Sequence, residues 1–306
     1  MEEEKIDISY EALWKAIIRP PRDEYTDDEL GMTGFNCYGR SYIRKDYTLL
    51  ATQGNLLQCS FIEPSPENRP SEIMPVVIYL HGNSSSRVEG IRNVNDLLKN
   101  NINLFTFDFA GCGRSEGKYI SLGYHEKRDL KIIVDFVYKL PGVGNIGIWG
   151  RSMGAATGLI YAHTDERIKC LCLDSPFSSF KKLAKELCKR QINLPDVIVE
   201  TALSFIKKTI IDKNGMDITQ LNPIDDAKET KLPVFFVHAM KDDLISLEHT
   251  VELYEICPSK EKSLYVCEGN HNTLRQVMVI EKISNYFYKY LIGDVNDNNI
   301  KYRNCI

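Results

Sequence analysis

The sequence predicts an α/β protein built on a mainly parallel sheet with helices on both faces. Short apolar segments of strand length alternate with segments whose apolar residues recur at helical spacing. A hairpin precedes this alternation, and reactive side chains directly follow several of the predicted strands. In a parallel sheet the carboxyl ends of the strands share one edge, where chemistry usually takes place. We therefore expect the functional site at that edge.

The predicted strands are short, and turn residues bound them. The first two form the hairpin, because Thr52-Gln53-Gly54-Asn55 separates two strand-like segments. A polar, proline-rich surface loop over residues 64–75 follows the hairpin. In chain order, strands are expected at residues 41–50, 56–62, 75–80, 103–108, 145–149, 168–173, 233–238 and 262–267.

Helices are predicted between the strands. In the segment 122–140, Leu130, Ile133 and Val137 share one face, and Pro141-Gly142 ends the helix. The other helices are expected at residues 10–18, in a short segment that ends at 96–100, and at residues 155–162, 177–211 (interrupted near Leu194-Pro195), 247–256 and 273–291. We interpret residues 41–291 as one domain, residues 1–40 as an arm that lies on it, and residues 292–306 as a polar tail.

The composition is that of a soluble globular protein. A chain of 306 residues with 43% hydrophobic and 26% charged residues suits one large α/β domain. The 38 Lys and Arg residues against 42 Asp and Glu residues give a net charge of −4, so neither nucleic acid nor an anionic membrane is expected as a partner. No apolar segment approaches the roughly 20 residues of a transmembrane helix.

The N-terminal residues and the cysteines predict a cytoplasmic protein. The segment Met1-Glu2-Glu3-Glu4-Lys5 is acidic, and no apolar signal core follows it. The nine cysteines form no C-x-x-C pair, and Cys170 and Cys172 alternate within an apolar strand. We expect reduced thiols and no bound metal.

Functional interpretation centres on the segment Gly150-Arg151-Ser152-Met153-Gly154, which reads G-x-S-x-G. An apolar strand precedes it and a helix of small apolar residues follows, so Ser152 is expected at a tight strand-to-helix corner, a nucleophile elbow. Bulky residues two positions before or after the serine would clash, which explains the two glycines. The helix N-terminus directs N–H groups at the same point, where an oxyanion can be stabilised.

A serine nucleophile needs a general base, and His271 is the best candidate among the six histidines. It lies in the loop after the last predicted strand, from which it can reach the elbow. His81 lies in a loop for which a different role is expected. His238 ends a strand but comes before the candidate acid in the chain. The histidines on predicted helices, which are expected to be packed or solvated, are His125, His163 and His249.

The imidazole needs an acid partner that holds its tautomer. Asp242, shortly after the penultimate strand, is the first candidate, and Asp243 and Asp174 are the alternatives. Each of the three has the simpler alternative role of a solvated loop carboxylate or a helix N-cap. The chain order Ser152, Asp242, His271 is the order found in α/β-hydrolases.

An oxyanion needs two donors. The N–H of Met153, directly after Ser152, is one of them. The second is expected from the loop His81-Gly82-Asn83-Ser84, with the Asn83 N–H preferred and the Ser84 N–H as the alternative. A separate glycine-rich turn, Gly111-x-Gly113-x-x-x-Gly117, matches the dinucleotide fingerprint imperfectly, so no cofactor is expected.

Taken together, these segments resemble the α/β-hydrolase superfamily over residues 41–291. Within it the chain is similar to the intracellular branch of serine aminopeptidase-like hydrolases and protein depalmitoylases. It departs from them at Ala239, where many relatives have glycine, and lacks the N-terminal cysteine cluster of the animal depalmitoylases. The motifs that carry the resemblance are His81-Gly82-Asn83, Asp108-Phe109-Ala110-Gly111-Cys112-Gly113-Arg114-Ser115, Gly150-Arg151-Ser152-Met153-Gly154, His238-Ala239-Met240-Lys241-Asp242 and Gly269-Asn270-His271.

The resemblance implies a serine hydrolase that forms an acyl-enzyme on Ser152 without any cofactor. It also implies a small helical cap over residues 177–231, between the sixth and seventh predicted strands. The apolar residues of this cap are expected mostly to pack onto the sheet and in part to line an acyl pocket; they are Leu183, Leu187, Ile192, Leu194, Val197, Ile198, Leu203, Phe205 and Ile206.

The expected substrate is a carboxylic ester or thioester, carried by a small or lipid-like molecule or by an acylated protein. One alternative is an aminopeptidase-type peptidase, although no acidic cluster for a free amino terminus is evident in the cap. The other is a non-catalytic binding protein on the same fold, which would be expected to have lost a triad residue. None of the three is lost.

Overall fold

The protein is described by a computed structural model that covers residues 9–192 and 195–293. Within these residues one sheet contains the strands β1 (Gly34–Cys37), β2 (Arg40–Leu50), β3 (Leu56–Pro64), β4 (Met74–Leu80), β5 (Asn103–Phe107), β6 (Val143–Arg151), β7 (Ile168–Asp174), β8 (Val234–Ala239) and β9 (Lys262–Cys267). The helices are α1 (Tyr10–Ile18), α2 (Val88–Arg92), α3 (Val94–Lys99), α4 (Glu126–Val137), α5 (Met153–Ala162), α6 (Phe180–Ile192), α7 (Asp196–Asn214), α8 (Pro223–Ala227), α9 (Leu247–Ile256) and α10 (Val277–Leu291).

The strand order in the sheet is β1-β2-β3-β5-β4-β6-β7-β8-β9. The neighbouring pairs β1–β2, β2–β3 and β3–β5 are antiparallel. From β5 to β9 all neighbouring strands are parallel. The mainly parallel sheet with a leading hairpin, as the sequence predicted, is confirmed.

Both faces of the sheet are covered. Successive side chains of a strand point to opposite faces, so a strand that is buried along its length must be covered on both sides. On β6, Ile148 belongs to an apolar cluster that includes residues of α1, α4 and α5. Its neighbour Trp149 belongs to a second cluster with residues of α3 and α10. Trp149 packs edge-on against Tyr79 of β4, with ring centroids 5.1 Å apart. Helices therefore lie on both sides of the sheet, and the loops at the carboxyl ends of the strands remain available for a site.

The sequence analysis missed strand β1. Its four residues are only exposed or half-buried, and they pair with β2 alone at the edge of the sheet. So short a segment has too little alternation to be recognised locally. With β1 counted, the cap segment lies between β7 and β8, which are the sixth and seventh strands of the prediction.

Some predicted helices also differ in their bounds. The short helix expected to end near residue 100 is two helices, α2 and α3, which meet at Asn93. The last helix begins at Val277 rather than at Thr273, because the side chain of Asn270 accepts hydrogen bonds from the N–H groups of Asn272 and Thr273 and holds a turn there. The helix α8, which follows Asn222, was not predicted.

The N-terminal residues that the structure describes lie against the domain. Helix α1 packs on α7, and the carbonyl of Ile18 accepts a hydrogen bond of 2.8 Å from the N–H of Ile120. The predicted interruption near Leu194-Pro195 is confirmed, because α6 ends at Ile192 and α7 begins at Asp196, directly after Pro195. Leu194 itself and the residues of the predicted tail after Gly293 fall outside the described residues. In the described part of the chain, no helix combines the length and the apolar character needed to cross a bilayer.

Candidate active site

Ser152 lies at the corner where β6 ends and α5 begins. Its backbone has φ 53° and ψ −116°, a left-handed conformation that is strained for a residue with a side chain. The N–H of Ser152 donates to the carbonyl of Asp174, at 2.8 Å. A Cβ at Gly150 would meet the carbonyl of Gly154, and a Cβ at Gly154 would meet the carbonyl of Leu80. Both glycines are therefore required for this corner to close.

The structure brings Ser152, His271 and Asp242 together. His271 Nε2 lies 3.0 Å from Ser152 Oγ, and His271 Nδ1 lies 2.7 Å from Asp242 Oδ2. Because a carboxylate can only accept, Nδ1 carries the proton and Nε2 is left to accept the proton of the serine. The other oxygen of Asp242 accepts the N–H groups of Leu244 and Ile245, at 3.0 and 2.7 Å.

The environment of Asp242 keeps it ionised. Burial by itself would raise its pKa, but the hydrogen bond and the attraction to His271 outweigh burial and hold the pKa below its usual value of 3.8. The two alternative acids have other partners. Asp243 accepts the backbone N–H of His271, at 3.4 Å, and Asp174 binds Arg275 through both carboxylate oxygens, each at 2.8 Å.

Two other histidines near the site are occupied by structural contacts. His81 Nδ1 lies 2.7 Å from the carbonyl of Gly82, and its Nε2 accepts the N–H of Phe109 at 3.1 Å. His238 lies 2.7 Å from the hydroxyl of Thr250 and 3.0 Å from the carbonyl of Ile245, and burial lowers its pKa.

The three histidines predicted on helices are engaged away from Ser152; only His249 lies within a helix, whereas His125 directly precedes α4 and His163 directly follows α5. The partners are the carbonyl of Asn214 for His125, Asp226 for His163, and Ser178 for His249.

The predicted oxyanion donors line the same cavity as the serine. Asn83, Ser152 and Met153 all line one cavity of about 340 Å³. Met153 is the first residue of α5, and the first N–H groups of a helix have no partner within it. Ser84, the residue after Asn83, has a left-handed backbone with φ 55°, which turns the loop next to Asn83. Both candidate backbone donors therefore share the cavity with Ser152.

A largely buried ion pair that was not predicted from the sequence joins the loops around the serine. Arg151, in the elbow, pairs with Glu89 of α2 and donates to the carbonyl of His271 at 3.1 Å. Glu89 accepts the N–H of Gly82 at 3.2 Å and the hydroxyl of Ser85 at 2.7 Å. Burial would raise the pKa of Glu89, but the Arg151 guanidinium lowers it to about 2. We call these contacts the Arg151–Glu89 clamp.

The glycine-rich turn that resembled a dinucleotide loop folds around its own carboxylate. Asp108 accepts the hydroxyl of Tyr25 at 2.6 Å and the N–H groups of Arg87 and Arg114 at 2.7 and 3.0 Å. A Cβ at Gly113 would collide with this carboxyl group. The glycine is therefore explained by the turn itself.

The cavity wall comes from the cap, from loops at the strand ends and from α1. None of the described residues that line it is charged. Four apolar cap residues expected from the sequence line it, namely Leu183, Leu187, Leu203 and Ile206. Three others are exposed to solvent, namely Val197, Ile198 and Phe205. The side chains of Ile192 and Leu194 fall outside the described part. The contribution of α1 was not predicted, because nothing local in residues 10–18 points to a site.

Comparison with known proteins identifies the fold. A family described as "alpha/beta hydrolase fold" matches residues 75–207. The uncharacterized protein YqkD of Bacillus subtilis is 28% identical over 208 residues, which are 67% of this chain and 67% of that protein. The lysophosphatidylserine lipase ABHD12 of Danio rerio is 26% identical, covering 62% of this chain and 49% of the lipase.

Among solved structures, the Pyrococcus furiosus esterase Pf2001 is 26% identical with a TM-score of 0.67, covering 90% of this chain and 98% of the esterase. A cold-adapted esterase from an Arctic intertidal metagenomic library is 20% identical with a TM-score of 0.59, covering 84% of this chain and 97% of that chain. The chain therefore has the α/β-hydrolase fold, as the sequence predicted.

Proposed function

We propose that the protein is a serine hydrolase that cleaves carboxylic esters through an acyl-enzyme on Ser152. One observation carries the proposal. Ser152 Oγ lies 3.0 Å from His271 Nε2, and the same serine lines an apolar cavity together with both candidate oxyanion donors. The likeness to solved esterases supports the reaction class.

In the first half of the reaction, Ser152 Oγ attacks the carbonyl carbon of the ester while His271 Nε2 takes the hydroxyl proton. Asp242 holds the imidazole in the tautomer that accepts at Nε2 and stabilises the imidazolium. The N–H groups of Met153 and Asn83 donate to the oxyanion of the tetrahedral intermediate. The C–O bond to the alcohol then breaks, and His271 gives its proton to the leaving oxygen.

The second half repeats these steps with water. His271 removes a proton from a water molecule as its oxygen attacks the acyl-enzyme carbonyl. A second oxyanion forms and collapses, the carboxylic acid leaves, and Ser152 regains its proton from His271. These steps use only groups of this chain and water.

The apolar cavity favours an acyl group over a peptide as the bound part of the substrate. Because none of the described lining residues is charged, a free amino terminus would find no carboxylate there. The zebrafish relative is a lysophosphatidylserine lipase by name, which supports a lipid-like ester. A thioester substrate, an acylated protein partner, the depalmitoylase-like branch and a cytoplasmic location stay predictions from the sequence.

The proposal is tested by hydrolysis of p-nitrophenyl acetate and butyrate with wild type, Ser152→Ala and Ser178→Ala. Ser178 is a matched control, because it also contacts a histidine, at 2.8 Å, but does not line the cavity. We expect Ser152→Ala to lose a factor of roughly 10⁴ or more in kcat, as nucleophile removal does in serine hydrolases. The kcat of Ser178→Ala should stay within about threefold of wild type, because this substitution removes structural contacts and no reacting group.

A fluorophosphonate probe should label wild type at Ser152, which peptide mass spectrometry locates. If wild type hydrolyses no ester and Ser152 is not labelled, the non-catalytic binding protein becomes the better interpretation. If Ser152→Ala keeps its activity, the nucleophile is another residue.

A further inference from the structure

Helix α1 forms part of the cavity wall although it lies far from the elbow in the chain. Four of its residues line the cavity: Ala12, Leu13, Ala16 and Ile17. Residues at this spacing share one face of a helix, because positions three and four apart lie side by side. The face is therefore directed into the cavity as a unit.

The other side of α1 is anchored to the domain. Trp14 is buried and packs edge-on against Tyr119, with centroids 6.4 Å apart. The ammonium group of Lys213, on α7, lies 4.7 Å from the Trp14 ring centroid. The hydroxyl of Tyr10 bonds to the carbonyl of Phe205, at 3.4 Å. These contacts hold α1 against α7.

The residues that follow α1 hold its far end. The Arg22 guanidinium donates to the carbonyls of Ser115 and Gly117, at 2.8 and 2.6 Å. Both acceptors belong to the glycine-rich turn after β5. Because α1 is held before and after the lining face, its side chains form a fixed wall.

The lining face of α1 contains two alanines one turn apart. Ala12 is half-buried and Ala16 is exposed, as expected for side chains on an open cavity that a ligand would cover. Larger residues at these positions would project into the space that the alanines leave. None of the hydrogen bonds found for α1 in the described chain reaches Ser152, Asp242 or His271.

We propose that Ala12 and Ala16 determine the length of the aliphatic acyl chain that the cavity accepts. The inference rests on the proposed ester hydrolysis at Ser152. The cavity of about 340 Å³ falls in the range typical of small-ligand pockets, and its lining is almost entirely apolar. Each methylene group buried there favours binding. A longer chain gains affinity only while the wall leaves room for it.

The test measures kcat/KM for p-nitrophenyl esters from acetate to dodecanoate in wild type, Ala12→Leu, Ala16→Leu and the double variant. Leucine preserves helix propensity and adds apolar volume. We expect the ratio of dodecanoate to acetate activity to fall roughly tenfold or more in the double variant, the discrimination typical of a few methylene groups in an apolar pocket. The ratio is the readout, rather than the activity toward either ester alone, because both residues line the cavity.

Glu11→Leu is the matched control, since Glu11 lies on the same helix, is exposed and does not line the cavity. Its chain-length profile should equal that of wild type. Circular dichroism establishes that each variant is folded, and either single variant replaces the double one if the latter does not fold. The proposal would be overturned if the ratio of dodecanoate to acetate activity were unchanged in every folded variant of Ala12 and Ala16.

Binding of a dansyl-labelled undecanoic acid to Ser152→Ala separates this inference from the proposed function. The binding needs no chemistry, so it reports on the cavity even if wild type hydrolyses no ester. We expect the additional Ala12→Leu and Ala16→Leu substitutions to weaken it roughly tenfold or more. Binding of unchanged strength would contradict the assignment of this wall even where ester hydrolysis is established.

Discussion

Ser152 and Ser178 each lie close to a histidine nitrogen, Ser152 at 3.0 Å from His271 Nε2 and Ser178 at 2.8 Å from His249 Nδ1. Each histidine also has a carboxylate near its other nitrogen. The distances are 2.7 Å from His271 Nδ1 to Asp242 and 3.4 Å from His249 Nε2 to Glu186. By distances alone, the described part of the chain thus contains two similar serine, histidine and carboxylate sets.

The two sets differ in what surrounds the serine. Ser152 sits on a strained corner and lines the cavity. Both serines are buried, with 6% of Ser152 and 1% of Ser178 exposed, but Ser178 does not line that cavity. His249 Nδ1 already accepts the backbone N–H of Ser178 at 3.1 Å, and the Ser178 hydroxyl donates to Glu252 at 2.8 Å.

The Ser178 set is therefore a structural junction. Ser178 lies two residues before the cap helix α6, on which Glu186 lies. His249 and Glu252 belong to α9. Their contacts fasten the cap to the domain. The comparison teaches that short distances do not by themselves identify a nucleophile. Access for a substrate and nearby oxyanion donors are also required.

The largest expected difference between the sets follows from the same substitution in both histidines. His271→Gln should lower kcat for ester hydrolysis roughly 10⁴-fold or more, because the proposed general base is lost. His249→Gln should leave kcat within about threefold, since His249 contacts no reacting group. Steady-state kinetics with p-nitrophenyl butyrate measures both. Equal losses in the two variants would remove the distinction between the sets.

The second largest difference is expected between the ion pairs that lie beside the two sets, in how much each pair contributes to stability. Arg151→Gln leaves the buried carboxylate of Glu89 without its partner, and loss of one partner of a buried pair costs about 3–5 kcal/mol of unfolding free energy. Lys182 pairs with Glu252 beside the junction, but 31% and 41% of these side chains are exposed. Lys182→Gln should therefore cost less than about 1 kcal/mol.

Urea unfolding measures these costs, and kcat should also fall in Arg151→Gln, because the clamp joins the loops of Gly82 and His271. Equal losses of stability in Arg151→Gln and Lys182→Gln would contradict the expectation that the more buried ion pair contributes more to stability. An unchanged kcat in folded Arg151→Gln would show that the clamp does not position the site.

The smallest expected effect concerns pH. Burial lowers the pKa of His249 below its usual 6.5; the nearby Glu186 and Glu252 raise it and Lys182 lowers it, without reversing the net direction. The unfolded chain therefore binds a proton below about pH 6.5 that the folded protein does not, so stability falls as the pH drops below that value. The pKa of Asp242 is also lowered, from 3.8, so its own contribution to stability is lost only in more acidic solution.

His249→Gln should accordingly lose less stability than wild type between pH 7 and pH 5. The urea midpoint at the two pH values measures this difference, with each pKa unit equivalent to about 1.4 kcal/mol. If the urea midpoint changed equally in the variant and in wild type, His249 would not be the cause of the loss of stability between pH 7 and pH 5.

The corner at Ser152 could be predicted because its signal is local. The strand before Ser152, the helix after it and the two flanking glycines are contiguous, and the structure has the predicted corner. The Arg151–Glu89 clamp was missed because Glu89 lies 62 residues away on a short helix. No pattern in either segment pairs a particular arginine with a particular glutamate.

By itself, the sequence determined the parallel α/β sheet and the ends of strands at which Ser152, Asp242 and His271 lie, because periodicity and turn residues act over a few neighbours. Tertiary structure alone decided which of three carboxylates reaches His271, which serine opens on the cavity, and that α1 forms part of its wall. These outcomes depend on distance and burial between segments far apart in the chain, and packing of the whole domain sets both quantities.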